Sequence, residues 1–204
     1  MGIYGERIFP ACFDLVMGGE HLARRRRALL ARARGRVLEV GIGTGLNLPC
    51  YPESVRRIAT VEPNPGMNKR LARRADELGI ELERHAIRGE RLPFGDAEFD
   101  TAVVTWTLCS VRDPDAVVAE MHRVLRPGGS FLFIEHGLSP DEKVRRWQRR
   151  LNPLQRRLGD GCRLDLDVRA LLERSPFARF EGEAGYLERT PRFAGYTFQG
   201  ALER

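Results

Sequence analysis

Lysine is nearly absent from this chain. Of its 34 basic residues only Lys69 and Lys143 are lysines, so the net charge of +6 and the pI near 9.6 come almost entirely from arginine. A positive net charge allows nucleic acid or an anionic membrane as a partner. Because an arginine excess of this kind is typical of a codon bias, it is a weak indication. We expect no DNA partner, and RNA stays a disfavoured alternative.

Cysteines are few and dispersed. The chain has four and they form no C-x-x-C pair, which argues against a zinc knuckle and against a disulfide framework. We therefore predict no metal site. Paired thiolates bind soft ions, so Cys109 and Cys162 leave a metalloid-binding alternative open. Such a site usually needs a third cysteine, and small buried side chains are the favoured interpretation.

Long apolar runs are missing as well. No run reaches the roughly 18 residues of a candidate transmembrane helix, and the chain does not open on a signal-peptide pattern. The 204 residues are 42% hydrophobic and 30% charged, which is ordinary for one globular domain. We expect a single cytoplasmic domain; the oligomeric state is not indicated.

A glycine-rich turn follows the apolar run at residues 37–40. Its glycines are Gly41, Gly43 and Gly45. A buried strand, a glycine turn and a helix are typical of a nucleotide site, because glycine adopts positive φ and lets a ligand approach without a Cβ. The dinucleotide fingerprint needs glycine where Leu46 stands, so a pyrophosphate site is disfavoured. From this motif alone, the alternative to a nucleotide site is a glycine-rich turn in another kind of α/β enzyme.

A carboxylate follows the second apolar run, residues 57–61. Glu62 lies about 20 residues past the first glycine. In a mononucleotide-binding fold this position is the tip of the second strand, where a carboxylate can accept hydrogen bonds from both ribose hydroxyls. Glu62 is therefore the most specific ligand contact that we predict.

Strands and helices alternate through the middle of the chain. Alternation of this kind predicts a parallel sheet with helices on both faces. Further strands are predicted at residues 80–87, 101–105 and 130–136. Helices are predicted at residues 67–78 and 167–174. A third helix should begin at Asp113-Pro114 and end at the stop signal of residues 126–129. Residues 178–187 and 191–202 read as a closing hairpin.

Three segments with helical patterns leave alternatives open. Residues 3–17 predict one or two short helical pieces, which either cover the glycine turn or pack as an ordinary helix. The four arginines at residues 24–27 predict a solvated helix face rather than a nucleic-acid patch. Residues 139–158 combine an apolar stripe with many arginines, and Pro153 should kink that helix. A surface helix packed on the domain is favoured there, and peripheral membrane contact is the alternative.

In this order the motifs resemble those of class I S-adenosylmethionine-dependent methyltransferases, over residues 36–137. They are the glycine turn with Glu39, then Glu62, Leu-Pro-Phe at residues 92–94, and Arg-Pro-Gly-Gly at residues 126–129. The resemblance implies a Rossmann-like α/β fold, with a seven-stranded, mostly parallel sheet whose last strand is antiparallel. It also implies S-adenosyl-L-methionine as cofactor, bound at the carboxyl ends of the first four strands.

Residue roles follow from this resemblance. The three glycines would approach the methionine part of the cofactor, and Glu62 would bind the ribose. At the position of Arg88, many relatives carry an Asp that contacts the adenine amine. In this chain we expect the backbone to contact the adenine instead, and the Arg88 side chain to cover the base. The predicted cofactor-binding residues are Glu39, Gly41, Gly43, Gly45, Asn47, Glu62, Pro63, Asn64, Met67, Arg88, Gly89, Glu90 and Thr105.

One domain, residues 1–204, is expected to have three parts. They are an N-terminal helical segment that covers the site (residues 1–35), a cofactor-binding core (residues 36–137), and a substrate-side helix with closing strands (residues 138–204).

A narrower resemblance covers most of the chain. It is to the methyltransferase-like alkyl thiol S-methyltransferases, and it implies a small-molecule acceptor, a thiol. Animal members carry a membrane-embedding N-terminal segment; this chain begins about where that segment would end, so we expect no such anchor. The matching residues are 107–111 (Thr-Leu-Cys-Ser-Val), 125–129, Glu135-His136, 160–162 (Asp-Gly-Cys) and Gly195-Tyr196.

Other activities stay open as alternatives. They are O- or C-methylation of a phenolic, quinone or lipid-like molecule, RNA methylation, and a scaffold that binds the cofactor without catalysis. RNA is disfavoured because strand four ends in Thr105-Trp106-Thr107 rather than in the Asn/Asp-Pro-Pro-aromatic motif of amino-group base methylators.

A thiol acceptor sets modest chemical demands. With a pKa of about 8.5, a thiol is already a few per cent thiolate at neutral pH, so a strong base is optional. We predict that His136 accepts the proton and that Asp160 orients it; a structural bond from His136 to a loop carbonyl is the alternative. Glu135 is expected to bond backbone amides. The acceptor pocket should be apolar, built from Trp106, Leu108, Trp147 and the N-terminal aromatic residues.

Overall fold

One mixed sheet organises the part of the chain that the computed structural model describes, residues 2–177 and 180–204. The short apolar runs of the sequence form its central strands, whose residues are buried on both faces. The strands are β1 (Val37–Val40), β2 (Arg57–Val61), β3 (Glu81–His85), β4 (Phe99–Thr105), β5 (Leu125–His136), β6 (Phe180–Tyr186) and β7 (Tyr196–Glu203).

The strand order across the sheet is β3-β2-β1-β4-β5-β7-β6. β1 to β5 pair in parallel, whereas β7 runs antiparallel to both β5 and β6. This confirms the predicted seven-stranded sheet with an antiparallel last strand. The order reverses direction between β1 and β4, and their carboxyl ends form the crevice where ligands bind in open α/β sheets.

Helices cover both faces of the sheet, as alternation predicted. The buried residues of α2 and α3, including Leu29 and Leu71, pack on one face with Val37 and Leu132 of the sheet. Those of α4 and α6 pack on the other face. The helices are α1 (Phe9–Met17), α2 (Glu20–Leu30), α3 (Pro65–Leu78), α4 (Pro114–Val124), α5 (Glu142–Leu158), α6 (Val168–Glu173) and α7 (Arg192–Gly195), and a π-helical turn, Tyr4–Ile8, precedes α1.

Short polar residues fix where these helices begin. The Asn64 side chain accepts hydrogen bonds from the amides of Gly66 and Met67 and starts α3 directly after β2. Asp113 caps α4, with Pro114 in its first turn, as predicted. α3 ends at Gly79, whose φ is +64°. The Asn64 and Asp113 caps fix where α3 and α4 begin on the crevice side of the sheet, and Gly79 ends α3 before β3.

Several predicted boundaries were wrong. β5 begins at Leu125 instead of residue 130, because the Arg-Pro-Gly-Gly segment already pairs within the sheet. α7 occupies residues 192–195, so the last strand begins only at Tyr196. The closing hairpin is otherwise present, and its predicted first residues, Ala178 and Arg179, lie outside the described residues.

Two arginine-rich helices pack only partly as predicted: α5 is a surface helix packed on the domain, as expected, but it buries few residues of its apolar stripe. In α2, Arg26 is only 3% exposed and its guanidinium lies 4.8 Å from the centre of the Trp106 ring, so residues 24–27 are not uniformly solvated. α5 continues through Pro153 and buries Val144 and Gln148, whereas Trp147 and other stripe residues are more than half exposed. Within residues 2–177 and 180–204, no helix combines the length and the apolar character that crossing a bilayer requires.

Candidate functional site

A cavity of about 630 Å³ opens at the carboxyl ends of β1, β2 and β4. This volume lies within the range of about 300–1,000 Å³ that small-molecule sites occupy. Most of the residues predicted from the sequence lie on its wall. They are Gly41, Gly43, Glu62, Pro63, Asn64, Met67, Arg88, Gly89, Glu90, Thr105 and Asp160.

The turn after β1 requires glycine for two different reasons. Gly41 has φ of +71°, and a Cβ there would lie 2.2 Å from the Thr107 side chain, whose hydroxyl donates to the Gly41 carbonyl at 3.2 Å. Gly43 has φ of +59° but room for a Cβ. Its backbone conformation, rather than space, therefore selects glycine.

Glu62 connects β2 to this turn. One of its carboxylate oxygens, Oε2, accepts from the Gly43 amide at 3.0 Å, and Oε1 accepts from the Asn64 amide at 2.8 Å. Burial raises the pKa of Glu62 to about 7, against the two amide hydrogen bonds, which lower it. A carboxylate has about four acceptor positions, so two remain for a ligand diol.

Three predicted residues lie behind the wall instead of on it. Glu39 is fully buried; it accepts from Asn47 Nδ2 at 2.6 Å and from the Tyr51 hydroxyl at 2.7 Å, and burial raises its pKa to about 7. Asn47 also donates to the Thr105 hydroxyl at 2.9 Å. Gly45, with φ of +83°, packs against Leu48 and Leu71. These residues support the turn from behind, and of the three glycines only Gly41 and Gly43 line the cavity.

The wall after β3 carries an unpaired carboxylate oxygen. Glu90 Oε1 accepts from the Arg112 amide at 3.0 Å, whereas the buried Oε2 has no hydrogen-bond partner among the described residues. Gly89 is buried against Val40, and the exposed Arg88 lies at the rim. Burying an acceptor without a partner is costly, so Glu90 Oε2 is suited to a donor from a ligand.

The N-terminal segment, residues 3–17, lies across the cavity. Phe9 and Phe13 line the wall, and Phe13 is the side chain nearest to the Cβ position of Gly43. Asp14 accepts from the Thr44 hydroxyl of the glycine turn and pairs with Arg70 at 2.8 Å. The Gly5 carbonyl accepts from Asn64 Nδ2 at 3.2 Å. Polar contacts therefore attach this segment to the glycine turn and to the beginning of α3.

The expected apolar acceptor pocket was only partly right. Trp106 lies on the wall, with a φ of +50° that projects it from the end of β4. Leu108 is instead fully buried in the core, and Trp147 lines a separate groove with Phe193 and Arg192. Arginines from the α5 side, Arg156 and Arg163, complete the wall, and the sequence pattern did not indicate them.

His136 ends β5 behind the wall, in contact with a cysteine. Its Nε2 lies 3.1 Å from Cys162 Sγ, and its side chain is 7% exposed. Burial alone would lower the pKa of His136, but the hydrogen bond and charge of Cys162 outweigh it and raise that pKa. The pKa of Cys162 lies well below its usual range, because Cys109 and then His136 hydrogen-bond to it. Both shifts favour the charged form of the group, the thiolate for Cys162 and the imidazolium for His136.

Asp160 lies on the wall, and its hydrogen bond in the described chain is with Asn64 rather than with His136. Asp160 Oδ2 accepts from Asn64 Nδ2 at 3.2 Å, and its φ of +51° is among the few positive values at non-glycine residues of the described chain. Glu135 behaves as expected: its Oε1 accepts from the amides of Thr107 and Leu108 at 2.7 and 2.9 Å. These bonds hold the segment after β4, including Trp106, at the cavity.

A cluster that the sequence did not predict lies beside this wall. The ligand atoms of Cys109, His136 and Cys162 are all within 4.8 Å of one another. The third ligand is His136 rather than the third cysteine that a metalloid site usually needs. One signal in the sequence could have indicated the cluster: Cys109 follows β4 and His136 ends β5, and the carboxyl ends of these neighbouring parallel strands meet at one edge.

Comparisons with known proteins agree with this architecture. The methyltransferase domain family matches residues 38–133. Thiol S-methyltransferase TMT1A of Homo sapiens is 34% identical over 178 residues, which are 81% of this chain and 72% of that protein. TMT1B of Rattus norvegicus is 36% identical over 151 residues, 72% of this chain. The chain spans only 62% of the rat protein's length.

Two further proteins widen the comparison. A phosphatidylethanolamine N-methyltransferase of Cereibacter sphaeroides is 40% identical over 116 residues, 55% of this chain and 57% of that protein. The crystal structure of a SAM-dependent methyltransferase from Thermotoga maritima superposes with a TM-score of 0.67 at 19% identity, covering 99% of both chains. The latter shows that the two folds are alike.

Proposed function

The chain belongs to the S-adenosylmethionine-dependent methyltransferases, and we propose that it methylates the sulfur of a small alkyl thiol. The observation that carries the thiol acceptor is the similarity to TMT1A over 178 residues. That length exceeds the region matched by the methyltransferase domain, residues 38–133, so it includes segments on the acceptor side of the cavity.

The residues on the wall fit the family's cofactor. The carboxylate of Glu62 has free acceptor positions for ribose hydroxyls, and the turn at Gly41 and Gly43 presents backbone without side chains. We assign the adenine amine to Glu90 Oε2, the unpaired acceptor, in place of the Asp that is missing at position 88. When bound, the cofactor supplies a methyl group on a sulfonium.

The ionisable groups on the wall support a thiol acceptor. Among the described residues that line the cavity there is no histidine, lysine, cysteine or tyrosine; the acids are Glu62, Glu90 and Asp160, and the bases are arginines. An alcohol, with a pKa far above neutrality, would need a strong base. A thiol with a pKa of about 8.5 ionises by itself, and arginines favour the thiolate.

We propose supporting roles for the two predicted catalytic residues. Asp160, on the wall and held by Asn64, is placed to accept the thiol proton or to orient the acceptor. His136 acts from behind the wall as a positioning residue, because its contact is with Cys162. Neither is an essential base in this proposal, since the acceptor's own ionisation supplies the nucleophile.

The test is the pH dependence of transfer to two alkyl thiols of different pKa. If the thiolate forms by its own ionisation, the midpoint of the rate should shift with the pKa of the acceptor. A base on the protein would give one midpoint for both acceptors, and that result would contradict the proposal. His136→Ala and Asp160→Asn should each lower the rate by about tenfold to a hundredfold, short of the ~10⁴ for an essential base.

An amine is the second candidate acceptor. The observation that favours an amine is the 40% identity of this chain to the phosphatidylethanolamine N-methyltransferase over 116 residues. Transfer to a primary amine that exceeds transfer to a thiol of the same carbon skeleton would select it.

A further inference from the structure

Cys109, His136 and Cys162 come together from three separate parts of the fold. Cys109 lies in the turn after β4, His136 is the last residue of β5, and Cys162 lies in the turn after α5. β4 and β5 are neighbouring parallel strands, with Thr105 paired to Ile134, so their carboxyl ends meet. The Cys109 carbonyl accepts from the Arg163 amide at 2.9 Å, which brings Cys162 alongside.

The spacing of the three ligand atoms is close to that around one bound ion. The atoms lie within 4.8 Å of one another, and His136 Nε2 is 3.1 Å from Cys162 Sγ. Zinc binds thiolate sulfur at about 2.3 Å and imidazole nitrogen at about 2.0–2.1 Å, so two ligand atoms of one tetrahedral ion lie ~3.5–3.8 Å apart. His136 and Cys162 would have to separate by about half an ångström to hold the ion, which a small side-chain adjustment allows.

We propose that Cys109, His136 and Cys162 form a binding site for a thiophilic divalent cation, for which Zn²⁺ is the best match. Thiolate and imidazole ligands favour zinc over magnesium or calcium, which select oxygen. In the described chain the cluster offers three ligands of the Cys, His, Asp and Glu type, so solvent or an exogenous ligand would complete a tetrahedral site.

The position of the site indicates what the ion would do. Cys109 precedes Ser110 and Cys162 follows Gly161, and both of these neighbours line the cofactor cavity. The ligands themselves are not on that wall; Cys109 is 1% exposed and His136 is 7% exposed. An ion at this point would fix residues 159–163 against the ends of β4 and β5. We assign it this positioning role, which does not depend on the identity of the methyl acceptor.

The first test uses reduced, metal-stripped protein in two titrations. Calorimetry measures the binding of Zn²⁺ alone, and absorption spectroscopy measures the binding of Co²⁺ as a probe. We expect one ion per chain, with the sulfur-to-cobalt charge-transfer absorption and the visible bands of tetrahedral coordination. Cys109→Ala and Cys162→Ala should each reduce the sulfur band, which His136→Ala should leave in place. All three substitutions should weaken Zn²⁺ binding by at least about tenfold. Cys12→Ala, at an exposed cysteine, and Cys50→Ala, at a separate buried one, are matched controls and should bind normally.

A second measurement on wild type keeps the proposal testable if a core variant fails to fold. Zn²⁺ should protect Cys162, the more exposed of the two cysteine ligands, from alkylation while the exposed Cys12 stays reactive, and hydrogen exchange at residues 159–163 should slow. Absence of stoichiometric binding, binding that survives loss of both cysteines, or a cobalt spectrum without sulfur ligation would overturn the proposal. None of these results would affect the methyltransferase activity assigned above.

Discussion

Glu62 Oε2 accepts a hydrogen bond from the backbone amide of Gly43, at 3.0 Å. This contact joins the end of β2 to the glycine turn after β1 and places the carboxylate on the cavity wall. The glycine turn and the acid were separate motifs in the sequence, and the fold makes them one site.

Removing the Glu62 carboxylate should weaken cofactor binding. Glu62→Ala is expected to cost at least ~1.5 kcal/mol, because hydrogen bonds to a charged acceptor are stronger than neutral ones. Calorimetry with S-adenosylhomocysteine measures the loss, and Glu53→Ala, at an exposed acid, is the control. Unchanged affinity in a folded Glu62→Ala protein would contradict the assignment of Glu62 to the cofactor ribose.

Glu90 should accept a hydrogen bond from the adenine amine through its unpaired oxygen, Oε2. Glu90→Ala is expected to weaken cofactor binding by ~1.5–3 kcal/mol. A cofactor analogue with a carbonyl in place of the amine should bind wild type poorly, and the variant should lose most of that discrimination. If both proteins discriminate equally, Glu90 Oε2 does not contact the amine.

The N-terminal segment should become better protected when cofactor binds. Phe9 and Phe13 line the cavity, so a ligand below them adds contacts, and amide exchange in residues 3–17 should slow on adding S-adenosylhomocysteine. Asp14→Ala, which removes the contacts to Thr44 and Arg70, should exchange faster in both states. α6, on the opposite face, serves as the internal control. Equal exchange with and without ligand would make residues 3–17 ordinary packing.

Glu39 should make the ligand-free protein less stable as the pH rises. Its pKa is raised by burial from 4.5 in the unfolded chain to about 7 in the fold, so the fold binds the proton more tightly. The resulting stabilisation is complete below about pH 4.5 and is lost as the pH rises through about 7.

The measurement is urea unfolding at pH 5.5 and pH 8. Between these values Glu39 should account for about 2 kcal/mol of lost stability, and Glu39→Gln should remove that part of the difference. Glu62 and Glu135, whose pKa values are also raised to about 7, should keep a residual slope in the variant. A Glu39→Gln protein with the full wild-type pH dependence would contradict the burial argument.

The core of the fold was predictable because its signals are local. Gly41 and Glu62 each follow a short apolar strand, and in parallel sheets the strand ends converge on one edge. The α5 stripe was less informative, because 3.6-residue periodicity shows which residues share a face but not which part of that face is covered. Val144 is buried, whereas Trp147, three residues later, is 55% exposed.

Contacts between distant segments were beyond the sequence patterns. Asp160 was expected to orient His136, but the turn after α5 directs it to Asn64, and His136 meets Cys162. Arg26 was read with its neighbours as solvated, yet it packs on Trp106 from a different part of the chain. No local spacing encodes these pairings, since they depend on how α2, the end of β5 and the segments after β2, β4 and α5 meet.

The most direct test of the central claim is one competition experiment. Wild-type protein with labelled S-adenosylmethionine is given equal concentrations of an alkyl thiol and of the alcohol and primary amine with the same carbon skeleton, and the methylated products are separated. We predict that the thioether dominates and that its rate of formation increases as the pH approaches the thiol pKa of about 8.5. A larger yield of the ether or of the methylated amine would contradict the thiol acceptor, while leaving the methyltransferase assignment in place.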